Sequence, residues 1–269
     1  MKKIKKTAKI ILLLIVVAGV LFSMNFFIRE LRVVRNNKQI STKHFFITYK
    51  GILNSEAADM AKSLETNYTS IRTDLHDPGH GKIAVYVHPA QSDFNKATGL
   101  IHSKANGTSR GPLVIHLMYQ TWYNSFLPAD MNKVAVHEFT HCVQLSILIQ
   151  DALSKTGKDS LNNFDKKFER NFSANYPRWF WEGLSDYEAN MVNKISVKYG
   201  MRNEPTLAEL NHSNQVYNVG YTIPEYLVSK YGKDKLPEFI RSYCNFEQVL
   251  GVSEKEFETG WHQFLDENY

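Results

Sequence analysis

One segment stands out in the sequence: Val134-Ala135-Val136-His137-Glu138-Phe139-Thr140-His141-Cys142-Val143. It contains the pattern H-E-x-x-H. On an α-helix, histidines four residues apart lie on one face, so His137 and His141 can reach one metal ion while Glu138 addresses a water bound to it. The surrounding run from Met131 to Gln150 predicts a single helix, capped by Asp130 and apolar at its centre. The segment therefore predicts a buried metal-binding helix.

Positive charge is concentrated near the N-terminus. The formal net charge of the 269 residues is +5, but residues 1–35 hold eight of the 32 basic residues and one of the 27 acidic residues. The other 24 basic and 26 acidic residues make the rest of the chain slightly acidic. Because a basic surface is the electrostatic footprint of nucleic-acid binding, this distribution argues against a nucleic-acid partner.

The N-terminal region predicts a membrane anchor. A lysine-rich segment, residues 1–9, precedes an apolar run over residues 10–28, which as a helix of about 28 Å would match the hydrocarbon thickness of a bilayer. No A-x-A-like site follows it, which favours an uncleaved signal anchor over a cleaved signal peptide and a secreted protein. The positive-inside rule then predicts a single-pass protein of the cell membrane with a cytoplasmic N-terminus and an extracytoplasmic catalytic domain. Residues 29–42 would form a stalk and residues 43–269 the folded domain.

The remaining patterns predict an α+β fold. Strands are expected at residues 44–49, 82–88 and 112–117, with an amphipathic helix at residues 55–75 between the first two. After the H-E-x-x-H helix and a polar stretch, the chain is predominantly helical. We expect a small N-terminal mixed sheet module and a C-terminal helical module, with the metal site between them. The third strand is either an edge strand that aligns a peptide substrate or a core strand.

Two cysteines, Cys142 and Cys244, are too few for a disulfide framework. One bridge is possible outside the cytoplasm. Because Cys142 lies on the predicted buried helix, where a small apolar residue fits, free buried cysteines are favoured.

A third metal ligand is expected because catalytic zinc usually takes three protein ligands and keeps a fourth position open. Glu182 is the strongest candidate, since a carboxylate among Trp179, Phe180 and Trp181 is costly unless it is paired or bound to metal. Asp186 lies one helical turn further on and can accept the free ring N–H of His137, which fixes its tautomer. The alternative role for Glu182 is a helix N-terminal charge favoured by the helix dipole.

These motifs resemble those of the gluzincins, zinc peptidases in which H-E-x-x-H is completed by a downstream glutamate. The block W-x-x-E-G-x-x-x-Y is similar to the third-ligand helix of membrane-associated (peptidase MA-like) and aminopeptidase-like gluzincins; here it comprises Trp179, Glu182, Gly183 and Tyr187. The spacing of Glu182 and Asp186 resembles that of thermolysin-like enzymes. The resemblance implies a zincin-like fold, a peptide or protein substrate, and one Zn²⁺ per chain bound by His137, His141 and Glu182.

The resemblance also implies a mechanism of zinc-assisted hydrolysis. Glu138 would take a proton from the metal-bound water and pass it to the leaving amine. For the oxyanion, the resemblance nominates Tyr217 and then Tyr221, although packing is the competing role for both tyrosines. The motifs therefore predict a membrane-anchored, extracytoplasmic zinc metallopeptidase. Competing hypotheses are an inactive pseudo-peptidase that acts as an extracellular binding module, and a surface protein in which H-E-x-x-H is accidental.

Overall fold

The computed structural model describes residues 11, 13–24, 37–50, 53–79, 81–120, 128–155 and 163–269. Its sheet has five strands in the order β1-β2-β3-β5-β4. The three central strands are mutually parallel, and each outer strand pairs antiparallel with its neighbour. The strands are β1 (Asn37–Ser41), β2 (Phe45–Lys50), β3 (Ile83–His88), β4 (Gly107–Ser109) and β5 (Val114–Met118).

Helices make up most of the rest of the described chain. The helical residues 11 and 13–24 belong to helix α1. The others are α2 (Asn54–Asp74), α3 (Gln91–Thr98), α4 (Met131–Lys155), α5 (Phe164–Asn175), α6 (Arg178–Glu188), α7 (Lys194–Gly200), α8 (Leu207–Leu210), α9 (Val216–Val219), α10 (Thr222–Tyr231), α11 (Lys235–Arg241), α12 (Phe246–Leu250) and α13 (Glu254–Asn268).

One hydrophobic core joins the sheet to the C-terminal helices. Alternate residues of the central strands, such as Ile47 and Val85, are fully buried because successive side chains of a strand point to opposite faces. Helix α2 buries residues at helical spacing, including Met60 and Leu64, and packs against α4. The same core continues into an aromatic group around α6, formed by Trp179, Phe180, Phe239, Phe246, Phe257 and Trp261.

Helix α4, which carries H-E-x-x-H, is held at both ends. At its start, Asp130 accepts hydrogen bonds from the backbone N–H groups of Asn132 (3.1 Å) and Lys133 (3.3 Å), as predicted for a helix cap. Further along, Ser146 donates a 3.0 Å hydrogen bond to Asp77, a buried carboxylate that is also paired with Arg72. These contacts fix the axial position of α4 relative to α2.

Two glycines bring the backbones of α6 and the α9–α10 junction together. A Cβ atom on Gly183 would overlap the backbone carbonyl of Gly220, and Gly220 itself lies against the carbonyl of Val216. The helix with the predicted third ligand therefore packs on its neighbour through main-chain atoms. Any larger side chain at residue 183 would push the two elements apart.

The predicted fold class was wrong. The structure is a mixed α/β fold: the three central strands are parallel and α2 and α3 connect them in sequence, so helices alternate with strands rather than following a separate sheet module. The sheet has five strands where three were predicted. Strand β1 lies within the segment predicted as a stalk.

The prediction of a transmembrane helix, and with it of a single-pass protein of the cell membrane, was also wrong. No helix among the described residues is long and apolar enough to span a bilayer. Within the apolar run, the described residues 11 and 13–24 are helical. The predicted basic segment at residues 1–9 and the first part of the stalk, residues 29–36, lie outside the described residues.

Several local predictions are confirmed. The three predicted strands correspond to β2, β3 and β5, and the helices predicted at residues 55–75 and 131–150 correspond to α2 and α4. Strand β5 is a core strand, since it pairs with β3 on one side and with β4 on the other. Cys142 and Cys244 are both free and buried.

Candidate metal centre

The structure brings the three predicted ligands together. His137 and His141 are almost fully buried on α4, and Glu182 reaches them from α6. The Oε2 atom of Glu182 lies 3.3 Å from Nε2 of His137 and 3.7 Å from Nε2 of His141. One ligand atom from each residue lies within 4.8 Å of the others, so these three residues could bind a metal ion.

The other ring nitrogen of each histidine has its own partner. Nδ1 of His137 lies 2.8 Å from the Asp186 carboxylate, as predicted, and Nδ1 of His141 lies 2.9 Å from the Ser185 hydroxyl. Ser185 in turn donates to the carbonyl oxygen of Trp181. It can therefore accept from His141. With a metal ion at Nε2, both histidines would carry their proton on Nδ1, and both Nε2 lone pairs would be free to bind the ion.

The donor set fits a cation. Burial lowers the pKa of His137, but the Asp186 and Glu182 carboxylates raise it well above its usual value, so this position favours a positive charge. Trp181 stacks on His141 with ring centroids 3.9 Å apart, which holds that ring in place. Two nitrogen ligands and one oxygen ligand are a set that catalytic zinc accepts, whereas Mg²⁺ and Ca²⁺ favour oxygen alone.

Glu138 lies beside these ligands and has the properties of a proton acceptor. Burial raises its pKa to about 7, the Glu182 carboxylate adds to the rise, and His137 and a backbone hydrogen bond from Ser109 oppose it. Its Oε2 atom is buried and has no hydrogen-bond partner within the described part of the chain. A carboxylate with a pKa near neutrality can both take up and release a proton at physiological pH.

A cavity of about 650 Å³ opens over these groups. Its lining includes His137, Glu138, His141 and Glu182, together with the tip of the α5 helix at Phe172. Such a volume is typical of a site for a small ligand or for a few residues of a peptide.

The two tyrosines nominated for the oxyanion differ in position. Tyr217 lines the cavity, where burial and the nearby Glu182 carboxylate raise its pKa and Arg178 lowers it. Tyr221 does not line the cavity but packs against Tyr187, with ring centroids 5.5 Å apart. Of the two, only Tyr217 is placed to contact a bound ligand.

Strand β4 forms the wall opposite the ligands. Residues 106–109 line the cavity, and a Cβ atom on Gly107 would lie 2.5 Å from Oε1 of Glu138. Backbone groups of Asn106 and Arg110 bond to β5, so by the alternation of an antiparallel ladder those of Gly107 and Ser109 point away from it. The edge strand beside the site is therefore β4, and not the 112–117 strand considered from the sequence.

Sequence reasoning missed three contributors to the site. Ser185, Gly107 and Trp181 were not assigned roles, although Ser185 is fully buried and polar within an apolar helix. That combination was a usable signal, because a buried hydroxyl needs a partner. Nothing in the sequence around Gly107 indicates that its strand meets Glu138.

The site thus combines an H-E-x-x-H helix with a glutamate from a second helix. No protein-family model matches the sequence, and comparison with curated proteins finds no match.

Proposed function

We propose that this protein is a zinc-dependent peptidase of the gluzincin type. The observation that carries the proposal is the convergence of two histidine Nε2 atoms and one glutamate oxygen, with Glu138 in the same cavity. Zinc is the ion favoured by this donor set, because three protein ligands of mixed nitrogen and oxygen type leave a fourth position for water.

The chain's own residues supply the remaining parts of a hydrolysis. His137, His141 and Glu182 would hold the ion, while Asp186 and Ser185 fix the two histidine rings. A bound zinc ion supplies Lewis-acid chemistry, which polarises a carbonyl group and activates water.

Glu138 would take the proton of the attacking water and deliver it to the nitrogen of the leaving amine. The Tyr217 hydroxyl would donate a hydrogen bond to the oxygen that gains negative charge.

A peptide substrate is supported by the edge of β4. The backbone N–H and C=O groups of Gly107 point away from β5, and Gly107 lines the cavity. Those of Ser109 point the same way, but its N–H is already bonded to Glu138. An extended chain can pair with such an edge through main-chain hydrogen bonds that do not depend on its side chains. This would place a peptide bond over Glu138.

The first test replaces the proposed base. The purified protein is reconstituted with one equivalent of zinc and incubated with a peptide library, and the products are identified by mass spectrometry. We expect Glu138→Gln to retain zinc and to lose activity by about 100-fold or more, because proton transfer by a positioned side chain contributes that much.

The matched control is Glu188→Gln. This residue carries the same carboxylate on α6 but does not line the cavity, so its activity should equal that of the parent. A Glu138→Gln protein that cleaves as fast as the parent would remove Glu138 from the mechanism. Zinc binding without cleavage of any library member would instead favour a non-catalytic binding module.

A further inference from the structure

An aromatic stripe runs along helix α5 and ends in the cavity. It consists of Phe164, Phe168 and Phe172, which are spaced four residues apart and therefore lie on one face of the helix. Their rings are nearly parallel, with centroids 6.1 Å apart for both successive pairs. Phe172 meets Trp181 edge-on at 5.2 Å, and Trp181 stacks on the ligand His141. The stripe is thus continuous with the metal centre.

This face is incompletely covered. Helix α5 has no buried residue, and all three phenylalanines are only partly buried. Phe168 and Phe172 pack in part on the core, whereas Phe164 is not among the side chains that do so. Burying apolar surface stabilises a protein, so a row of half-exposed aromatic rings leading into a cavity indicates a ligand-binding surface.

We infer that this aromatic stripe, Phe164, Phe168 and Phe172, binds the apolar side chains of an extended peptide, at every second residue of that peptide. In an extended chain, alternate side chains lie on one side and are about 6.6 Å apart, close to the 6.1 Å between the rings. The stripe spans about 12 Å of helix, which corresponds to about four residues of extended chain. The inference rests on the proposed function, because the peptide is the proposed substrate.

The charges around the stripe favour an uncharged segment at these positions. The other faces of α5 carry charges of both signs, among them Asp165, Lys167 and Arg170. These faces therefore favour neither a positively nor a negatively charged peptide. Apart from Glu138, Glu182 and Asp186 at the metal centre and its two histidines, Lys104 is the only charged side chain of the described residues that lines the cavity. Specificity at the stripe therefore depends on apolar contact.

The test measures binding separately from cleavage. The full-length chain carrying Glu138→Gln is loaded with zinc, and two fluorescein-labelled peptides of identical composition are titrated by fluorescence anisotropy. One contains three phenylalanines alternating with serines, and the other contains the three phenylalanines in a row. We expect the alternating peptide to bind about tenfold more tightly than the other. Phe168→Ala should abolish most of that difference, because it removes one of the three aromatic contacts.

The control is Ile195→Ala on α7, which removes an apolar side chain that is 83% exposed but outside the stripe. It should bind both peptides as the parent does. Should Phe168→Ala fail to fold, Phe164→Ala tests the same surface without touching the core. Unchanged affinity for the alternating peptide in a folded stripe variant would overturn the inference.

Cleavage by the protein with Glu138 intact distinguishes the two proposals. If the alternating peptide binds through the stripe but no peptide is hydrolysed, the peptidase assignment fails and the stripe stands. If peptides are hydrolysed while Phe168→Ala leaves KM unchanged for the alternating peptide, the stripe fails and the peptidase assignment stands.

Discussion

At the scale of single residues, the position of Glu138, the proposed base, depends on Gly107, which has no side chain. Gly107 lies on β4 directly against Glu138, where a methyl group would come within 2.5 Å of the carboxylate. Contacts below 3.0 Å essentially never occur for a real Cβ, so the strand or the carboxylate would have to move. Glycine is needed at residue 107 because of this close approach.

We therefore expect Gly107→Ala to lower kcat/KM by about 10-fold to 100-fold, since a misplacement of about 1 Å can have that effect on a reacting group. Zinc content should be unchanged, because the three ligands lie on α4 and α6. Steady-state kinetics and metal analysis of the same preparation measure both quantities. Activity within twofold of the parent would show that β4 can shift to accommodate the methyl group without moving Glu138.

At the scale of elements, the parallel pairing of β3 and β5 places two histidines against each other on the side of the sheet away from α4. Nε2 of His88 and Nδ1 of His116 are 2.9 Å apart. The pKa of His88 is lowered to about 4, mainly by burial and also by His116 and Lys50, while Asp93 opposes the shift. Burial also lowers the pKa of His116. The folded protein therefore disfavours a proton on this pair.

This pair predicts a loss of stability in mild acid. The pKa of His88 is about 4 in the folded chain and about 6.5 when unfolded, so the unfolded chain binds the extra proton as the pH falls between these values. Stability should be lost through that window. His88→Gln should reduce the loss between pH 7 and pH 5 by about 1 kcal/mol, a value discounted because the ring is half-buried.

Urea unfolding of the parent and of His88→Gln at both pH values measures the difference. Because groups outside the pair titrate equally in the two proteins, the comparison isolates the contribution of the His88–His116 pair. Equal changes in the free energy of unfolding would show that the pair accepts a proton without cost.

At the scale of the whole molecule, the site joins distant parts of the chain. His141 and Glu182 are on different helices, and those helices meet through one core and through the Gly183–Gly220 contact. The unfolded chain does not hold the three ligands together, so a metal that binds them binds the folded state selectively. Metal binding should therefore contribute to global stability.

We expect removal of zinc by a chelator to lower the melting temperature. At a free zinc concentration of 100 times Kd, binding adds about 2.7 kcal/mol to the free energy of unfolding. Glu182→Ala should lose most of this zinc-dependent shift, and Glu188→Gln should keep it. Differential scanning calorimetry with and without zinc makes the comparison. The same shift in Glu182→Ala as in the parent would exclude Glu182 as a ligand.

The parts of the structure that were predictable have a local cause. Helix α4 and the shared face of His137 and His141 follow from helical periodicity, and the role of Asp186 follows from its distance of one helical turn from Glu182. Runs of aromatic and β-branched residues bounded by turn residues likewise predicted β2, β3 and β5. These features are encoded within a few neighbouring residues.

The parts that were not predictable depend on tertiary contacts. Strand β1 is polar and exposed along most of its length, and β4 has only three residues, so neither has an apolar pattern. The contact of Gly107 with Glu138 and the separation of Tyr217 from Tyr221 arise when remote elements meet.

The main-chain contact between Gly183 and Gly220 has a consequence for how this protein tolerates sequence variation. A residue beside a metal ligand is usually assumed to be constrained by chemistry, yet Gly183 and Gly220 carry no reactive group and are constrained by space alone. A library randomised at both positions and selected for metal retention should return glycine at each. The two residues would then appear as invariant as the proposed ligands, although neither has a side chain that could bind a metal ion.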